Sequence, residues 1–269
     1  MKVGLIAKKT KEALETLKLI EDYFVKKKIE VFYDDELLDV LKKDKIMWNE
    51  KNLDFVIWLG GDGTLLLHVN KLVNYDAKLL GIKFGNIGFL CEIDPTNIQE
   101  KLDRILSGKF RIEKRRLIEF VYDKKKVYAL NDVLVTVSNV GKVSNFRVIM
   151  GDIEIFSGKC DGIIFSTSIG STAYIASKGG PIIDPNLETL IVDPINPLRW
   201  GSRTLILPFD VSLEVFSDRD YVVIVDGNIK FNIKSNEYVK IKGSDKSLSF
   251  IRFSNSFYRK IKLRSMIDI

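Results

Sequence analysis

The chain has 269 residues, room for one large domain or two modest ones at roughly 150 residues each. With 46% hydrophobic and 29% charged residues it can bury a substantial core, and its net charge of +6 suits an anionic ligand as well as it suits nucleic acid. A single histidine, His68, excludes every multi-histidine metal site and obliges any Ser-His-Asp triad to use that residue.

The two cysteines, Cys91 and Cys160, make neither a disulfide framework nor a metal knuckle, and they read as reduced, buried thiols of a cytoplasmic protein. The longest uncharged stretch, residues 162–177, is dense in Ser and Thr and shorter than the about 20 apolar residues that a membrane span needs.

Residues 2–7 are a short apolar run of strand type, and residues 10–28 place Leu14, Leu17, Ile20 and Phe24 at helical spacing. Strand 29–33, helix 35–43, buried strand 53–59, helix 64–73, strand 78–84 and helix 96–107 follow. The last opens at Asp94-Pro95 and closes at Gly108. This alternation predicts a doubly wound parallel α/β domain over residues 1–108, with ligands at the carboxyl ends of its strands. Beyond it the segments become short, β-branched or aromatic and alternating: 117–122, 127–137, 145–150, 153–156, 205–207, 212–216, 221–225 and 238–241. Turns such as Gly151-Asp152 and Asp226-Gly227 separate them. They predict an all-β, sandwich-like domain over residues 109–253, with a closing helix in residues 254–269 that packs back on the first domain.

Four segments carry chemistry. Gly60-Gly61-Asp62-Gly63-Thr64 lies between a buried strand and a helix, where glycines let the backbone approach an anion and its N–H groups point at it. A carboxylate repels phosphate, so Asp62 needs another task, such as accepting a proton or holding a hydroxyl or metal; otherwise the segment is a tight turn with a helix-capping Asp. No lysine follows the last glycine, so this is not a Walker A loop. Gly81 to Phe89 spaces its glycines as GxxxGxxG rather than GxGxxG, and Phe89 is either a stacking surface for a base or a core side chain. Asn131-Asp132 interrupts an apolar run, either as acceptors for ribose hydroxyl protons or as a bulge or turn. Finally, residues 161–174 run from an apolar stretch into small hydroxylated residues around Gly170, then into a helix-like stretch ending at Gly179-Gly180. They suit a sugar or phosphate, or form a solvated loop.

Taken in order, GGDGT at Gly60–Thr64, the glycine-rich stretch closing in Asn86-Ile87-Gly88-Phe89, Asn131-Asp132, Asp161-Gly162 and GSTAY at Gly170–Tyr174 resemble the NAD kinase family. The resemblance implies transfer of the γ-phosphoryl of ATP to the adenosine 2′-hydroxyl of NAD. A divalent ion, expected to be Mg²⁺, would be held largely by the ATP phosphates. By position it implies Asp62 as general base with Gly63 beside it, and Gly60, Gly61, Gly63 and Thr64 at the phosphates. Phe89 would stand near the adenine, and Asn131 and Asp132 on the nicotinamide-side ribose. Lys159 and Asp161 would flank the NAD, Thr172, Ala173, Tyr174 and Ser177 would form the base pockets, and Asn196 and Asn228 would make further contacts. It also implies a homodimer or homotetramer. Two positions depart from the family pattern: Thr167-Ser168-Ile169 lacks the proline usual before GSTAY, and Leu67 stands where many relatives carry a basic residue.

Three other readings compete. A lipid or sphingoid-base kinase shares the glycine loop but gives no reason for Asn131-Asp132 or GSTAY. A non-catalytic NAD(P) sensor does not need Asp62. A nucleic-acid binder would use the lysines of residues 230–242, though alternating lysines on a strand ordinarily form a solvated face.

Overall fold

Phe55–Gly60 is buried at every position, as a central parallel strand covered on both faces must be. It is β3 of a parallel sheet formed with β1 (Lys2–Ala7), β2 (Glu30–Tyr33) and β4 (Lys78–Lys83), in the order β2-β1-β3-β4. The end of the strand Val239–Arg252 adds itself in parallel beyond β4. The computed structural model describes residues 1–85, 88–139, 141–199 and 202–267. Within them the chain divides into two units, Met1–Lys114 with Leu248–Ile269, and Arg115–Ser247.

In the first unit, α1 (Lys11–Lys26) buries Ala13, Leu17, Ile20 and Phe24, three to four residues apart, so one helical face meets the sheet. A later helix, Ile98–Leu106, buries Ile98, Leu102 and Ile105 in the same core, against Val3, Leu5, Ile57, Leu59, Leu80 and Ile82. The segment expected as one helix over 64–73 is instead two, Asp62–Leu66 and Val69–Leu72, broken at Leu67-His68. At the break the His68 N–H bonds to the Leu65 carbonyl, three residues back, and its buried ring bonds to the Thr64 carbonyl. The closing helix, Phe257–Ile267, belongs to this unit.

In the second unit, strands numbered on from β4 are β5 (Arg111–Tyr122), β6 (Lys125–Ala129), β7 (Asp132–Val137), β8 (Ser144–Met150), β9 (Ile153–Cys160) and β10 (Gly162–Thr167). Then come β11 (Thr189–Ile195), β12 (Leu205–Pro208), β13 (Ser212–Ser217), β14 (Tyr221–Val225), β15 (Ile229–Ile233) and β16 (Val239–Arg252). One antiparallel sheet runs β12-β11-β10-β7-β14-β15; the other contains β16-β13-β8-β9, with β5 pairing β16 and β6. Both contribute alternate side chains to a shared core that includes Phe120, Val135, Phe146, Phe165, Val192, Val215, Val223 and Ile241, which makes the unit a sandwich.

Several expected segments differ. The run 127–137 is two strands, parted at Leu130 and Asn131, whose N–H groups bond to the Asp226 carboxylate instead of continuing a ladder. The segments 153–156 and 238–241 are the starts of longer strands, β11 carries no sequence prediction at all, and the helix-like stretch after Gly170 shrinks to the single turn Tyr174–Ser177. On β15 Lys230 and Asn232 are exposed while Ile233 is buried, and Lys234 pairs with Asp220 at 2.8 Å, as on a solvated sheet face. No described helix is long and apolar enough to cross a membrane.

Candidate active site

β3 delivers Gly60 into its pairing with Lys83, Gly61 follows in an extended conformation, and Asp62 opens the short helix. Each oxygen of the Asp62 carboxylate accepts one peptide N–H: Oδ2 from Phe89 at 2.7 Å and Oδ1 from Leu90 at 3.1 Å. It lies so close to the neighbouring loop that a Cβ on Gly88 would stand 2.4 Å from Oδ1, so only glycine fits there. Gly61 and Gly63 are different. Neither has a positive φ, and a Cβ on either meets nothing within 4 Å. The fold does not require glycine at these two positions, so their smallness leaves the backbone open to an approaching group. Thr64 is more committed, with its N–H on the Gly61 carbonyl and its own carbonyl accepting from His68 Nδ1 at 2.8 Å.

Phe89 is buried, with its ring 5.8 Å from that of Phe257 on the closing helix and the Arg264 guanidinium 5.6 Å from its centroid. Of the two readings of Phe89, a stacking surface or a core side chain, its burial against an element remote in sequence accords with the second. Asn86 and Ile87, from the same motif, lie outside the described residues.

In the second unit three motifs converge at one end of a sheet. Strand pairing sets Ser166 of β10 opposite Asp132 of β7, and Val225 of β14 opposite Val133. The Asn131 carbonyl accepts from Thr167 N–H at 2.9 Å and from Ser166 Oγ at 3.0 Å. Gly170 packs against that same carbonyl, which a Cβ would approach to 2.1 Å. Asp226, which the sequence showed only as part of a turn, holds this corner: its carboxylate accepts the N–H groups of Leu130, Asn131 and Asp132 at 2.7, 2.8 and 3.1 Å. Burial pushes Asp226 up to about 7 although those donors favour its charged form, and burial alone pushes Asp132 up to about 6. The one local sign of Asp226 is an acid ending the apolar strand Tyr221–Val225.

Most hydroxyls of the Ser/Thr-rich segment are spent within the fold. Thr172 Oγ1 bonds to the Ile169 carbonyl at 2.9 Å, Ser177 Oγ to the Tyr174 carbonyl at 2.7 Å, and Ser171 Oγ to the Ser168 carbonyl at 2.6 Å. Ala173 closes a turn onto Gly170, and Tyr174 is 41% exposed, its ring left available on the surface of the unit. Asn228 sits in the turn after Asp226, its N–H on the Val225 carbonyl.

Lys159, Asp161 and Asn196 form a separate group. Asn196 Nδ2 donates to Asp161 Oδ2 at 2.8 Å, and the carbonyl of exposed Lys159 accepts from Leu198 N–H. This group lies at the start of β10 and the Asn131-Asp132 corner at its end, roughly 20 Å along the strand at about 3.3 Å per residue.

Solved structures first define the class. An NADH kinase from yeast, solved with NADH, superposes with a TM-score of 0.88 at 18% identity, over 97% of this chain and 86% of that one. An NAD kinase from Archaeoglobus fulgidus, solved with ATP, gives 0.82 at 26% identity, over 97% and 99%. An α/β unit bearing an acid in a glycine loop, followed by a β-sandwich, is therefore a kinase fold. Curated NAD kinases from Thermococcus sibiricus (33% identical, 98% of each chain) and Caldicellulosiruptor saccharolyticus (37% identical, 85% of this chain and 91% of that one) are similar along nearly their whole length. The family model of the ATP-NAD kinase N-terminal domain matches residues 3–110 and that of the C-terminal domain residues 130–253. The chain belongs to the NAD kinase family and is an enzyme of that family. The lipid-kinase and sensor readings are not favoured.

Proposed function

We propose that this enzyme phosphorylates the adenosine 2′-hydroxyl of NAD⁺ with ATP. The observation that carries the reading is Asp62, fixed by two peptide N–H groups beside the open backbone of Gly61 and Gly63. A carboxylate has about four acceptor sites, so Asp62 retains capacity to take the 2′-hydroxyl proton as that oxygen attacks the γ-phosphorus. The bond from the γ-phosphorus to the bridging oxygen breaks, and ADP leaves. Gly61 and Gly63 present N–H groups to the donor phosphates, while Asn131 and Asp132 accept hydroxyl protons from the nicotinamide-side ribose, held in register by Asp226. Tyr174 offers its exposed ring to a base.

Among the described residues no three His, Cys, Asp or Glu side chains come together as a metal cage. A divalent ion would arrive on the ATP phosphates, where it would neutralise developing charge. The separation of the two groups along β10 favours a homodimer or homotetramer, in which a second copy brings its Lys159, Asp161 and Asn196 to the Asn131-Asp132 corner. The buried, unpaired Cys91 and Cys160 fit a reducing, cytoplasmic setting.

Purified protein incubated with NAD, ATP and Mg²⁺ should form NADP, read by an NADP-specific dehydrogenase; no NADP under these conditions overturns the assignment. Gly63→Ala should leave thermal stability within about 0.5 kcal/mol or raise it, since Ala favours a helix over Gly, yet raise KM for ATP. An unchanged KM would remove Gly63 from the phosphate contacts. Asp132→Ala should weaken NAD binding by about 1–3 kcal/mol through lost hydrogen bonds, and calorimetric titration showing wild-type affinity would remove Asp132 from the ribose contacts.

A further inference from the structure

The two peptide N–H groups that hold Asp62 belong to consecutive residues, and the carbonyl of each of those residues accepts from a cation of the carboxy-terminal segment. Lys260 Nζ donates to the Phe89 carbonyl at 3.1 Å and to the Cys91 carbonyl at 2.5 Å. Arg252 Nη1 donates to the Leu90 carbonyl at 2.7 Å. Arg252 is itself fixed by Glu113 at 3.1 Å, with Glu92 at 3.6 Å. Glu92 in turn accepts the Phe253 N–H at 2.6 Å. The loop carrying Phe89, Leu90 and Cys91 has its polar groups divided between Asp62 on one side and the carboxy-terminal segment on the other.

We propose that Lys260, with Arg252, is a positioning residue for the catalytic base, so that residues 248–264 form part of the active site's support rather than a mere closing segment. This rests on the assignment of Asp62 as base. A carboxylate bonded to two backbone N–H groups keeps its orientation only as well as those groups keep theirs. Neutral donors or water at the carbonyls of residues 89–91 would allow the loop to slide, whereas charge-assisted bonds from two cations, buried for Arg252 and part-buried for Lys260, hold it. Burial and the adjacent Arg252 lower the Lys260 pKa, with Glu92 and Asp62 opposing them, as expected of an ammonium enclosed in this cluster. Phe257 pressed on Phe89 supplies the apolar half of the same clamp.

Lys260→Met keeps most of the side-chain stem and removes the charge; Lys260→Arg keeps the charge. In the full-length enzyme, Lys260→Met should lower kcat by about 10- to 100-fold, the range for a displaced catalytic group. KM for NAD should stay within about threefold, and Lys260→Arg should recover most of the loss. Amide hydrogen exchange at Phe89 and Leu90 should accelerate in Lys260→Met and not in Lys260→Arg. Wild-type kcat in Lys260→Met overturns the proposal, as does an equal loss in both variants with exchange at Phe89 and Leu90 unchanged. If the wild-type enzyme itself forms no NADP, the functional assignment fails, and the exchange experiment still decides whether Lys260 holds these peptides.

Discussion

Replacing Asp62 with Asn should lower turnover by about 10²- to 10⁴-fold, the usual contribution of a positioned general base, while KM for NAD should stay within about threefold. Two effects combine. The amide cannot take the 2′-hydroxyl proton. It also cannot reproduce the carboxylate's bonds, because Oδ1 and Oδ2 both face N–H donors, and the amide nitrogen must turn its own hydrogens towards either Phe89 or Leu90. Leaving one such donor without an acceptor costs about 1–3 kcal/mol, so the variant should also melt at a lower temperature. NAD affinity is spared because its proposed ribose contacts, Asn131 and Asp132, belong to the second unit. NADP formation and isothermal titration on the same preparation decide the matter. Turnover within tenfold of wild type would refute Asp62 as base, whatever the melting temperature.

The second large effect concerns His68. Its Nδ1 lies 2.8 Å from the Thr64 carbonyl and its Nε2 3.5 Å from Asp34 Oδ1. A neutral imidazole has only one N–H, so two acceptors call for the doubly protonated ring. Trp48 stacks on the ring at 5.8 Å and donates its own N–H to Asp34 at 2.7 Å. Burial works to lower the His68 pKa, and Lys71 adds to that, but the Asp34 and Thr64 oxygens outweigh both and the net shift is upward. For Asp34, burial pushes the pKa up, yet hydrogen bonds from the His68 ring and from Trp48 hold it well below the carboxylate range.

The sign follows from these directions. The raised His68 value adds stability that is fully present below the unfolded pKa of about 6.5 and is lost as pH climbs through the folded value. The depressed Asp34 value adds stability present above about 3.9 and lost as pH falls through its folded value. Urea unfolding should therefore show stability falling as pH rises above about 6.5 in wild type. His68→Leu should abolish most of that slope and cost about 3–5 kcal/mol at pH 6, the range for breaking a buried ion pair, at the lower end because Trp48 still serves Asp34. With only one histidine in the chain, a single ring proton resonance reports the titration unambiguously. A midpoint at or below 6.5 would refute the charged assignment.

His68 also shows where sequence reading stops. The sequence places it inside one helical segment, 64–73, and nothing local indicated that the helix would be interrupted there or that the ring would pair with Asp34. Phe89 is a related case: the motif left it as a stacking surface or a core side chain, and Phe257, remote in the chain, is what packs against it. The serines and threonines around Gly170 were legible as a functional segment, yet their hydroxyls chiefly hold its turns, a choice that depends on which carbonyls the fold brings near.

Local spacing encodes the parallel α/β unit, the β-rich unit, the glycine loop with its acid, and the order of motifs that marks the NAD kinase family. Periodicity and motif chemistry act over a few residues, so they survive without the fold. The tertiary structure alone decided the partners. Asp62 finds Phe89 27 residues away, Asn131 finds Asp226 across 95, and Leu90 finds Arg252 across 162. Those pairs exist because strand pairing brings distant segments together and a buried polar group must take whatever donor or acceptor that pairing supplies.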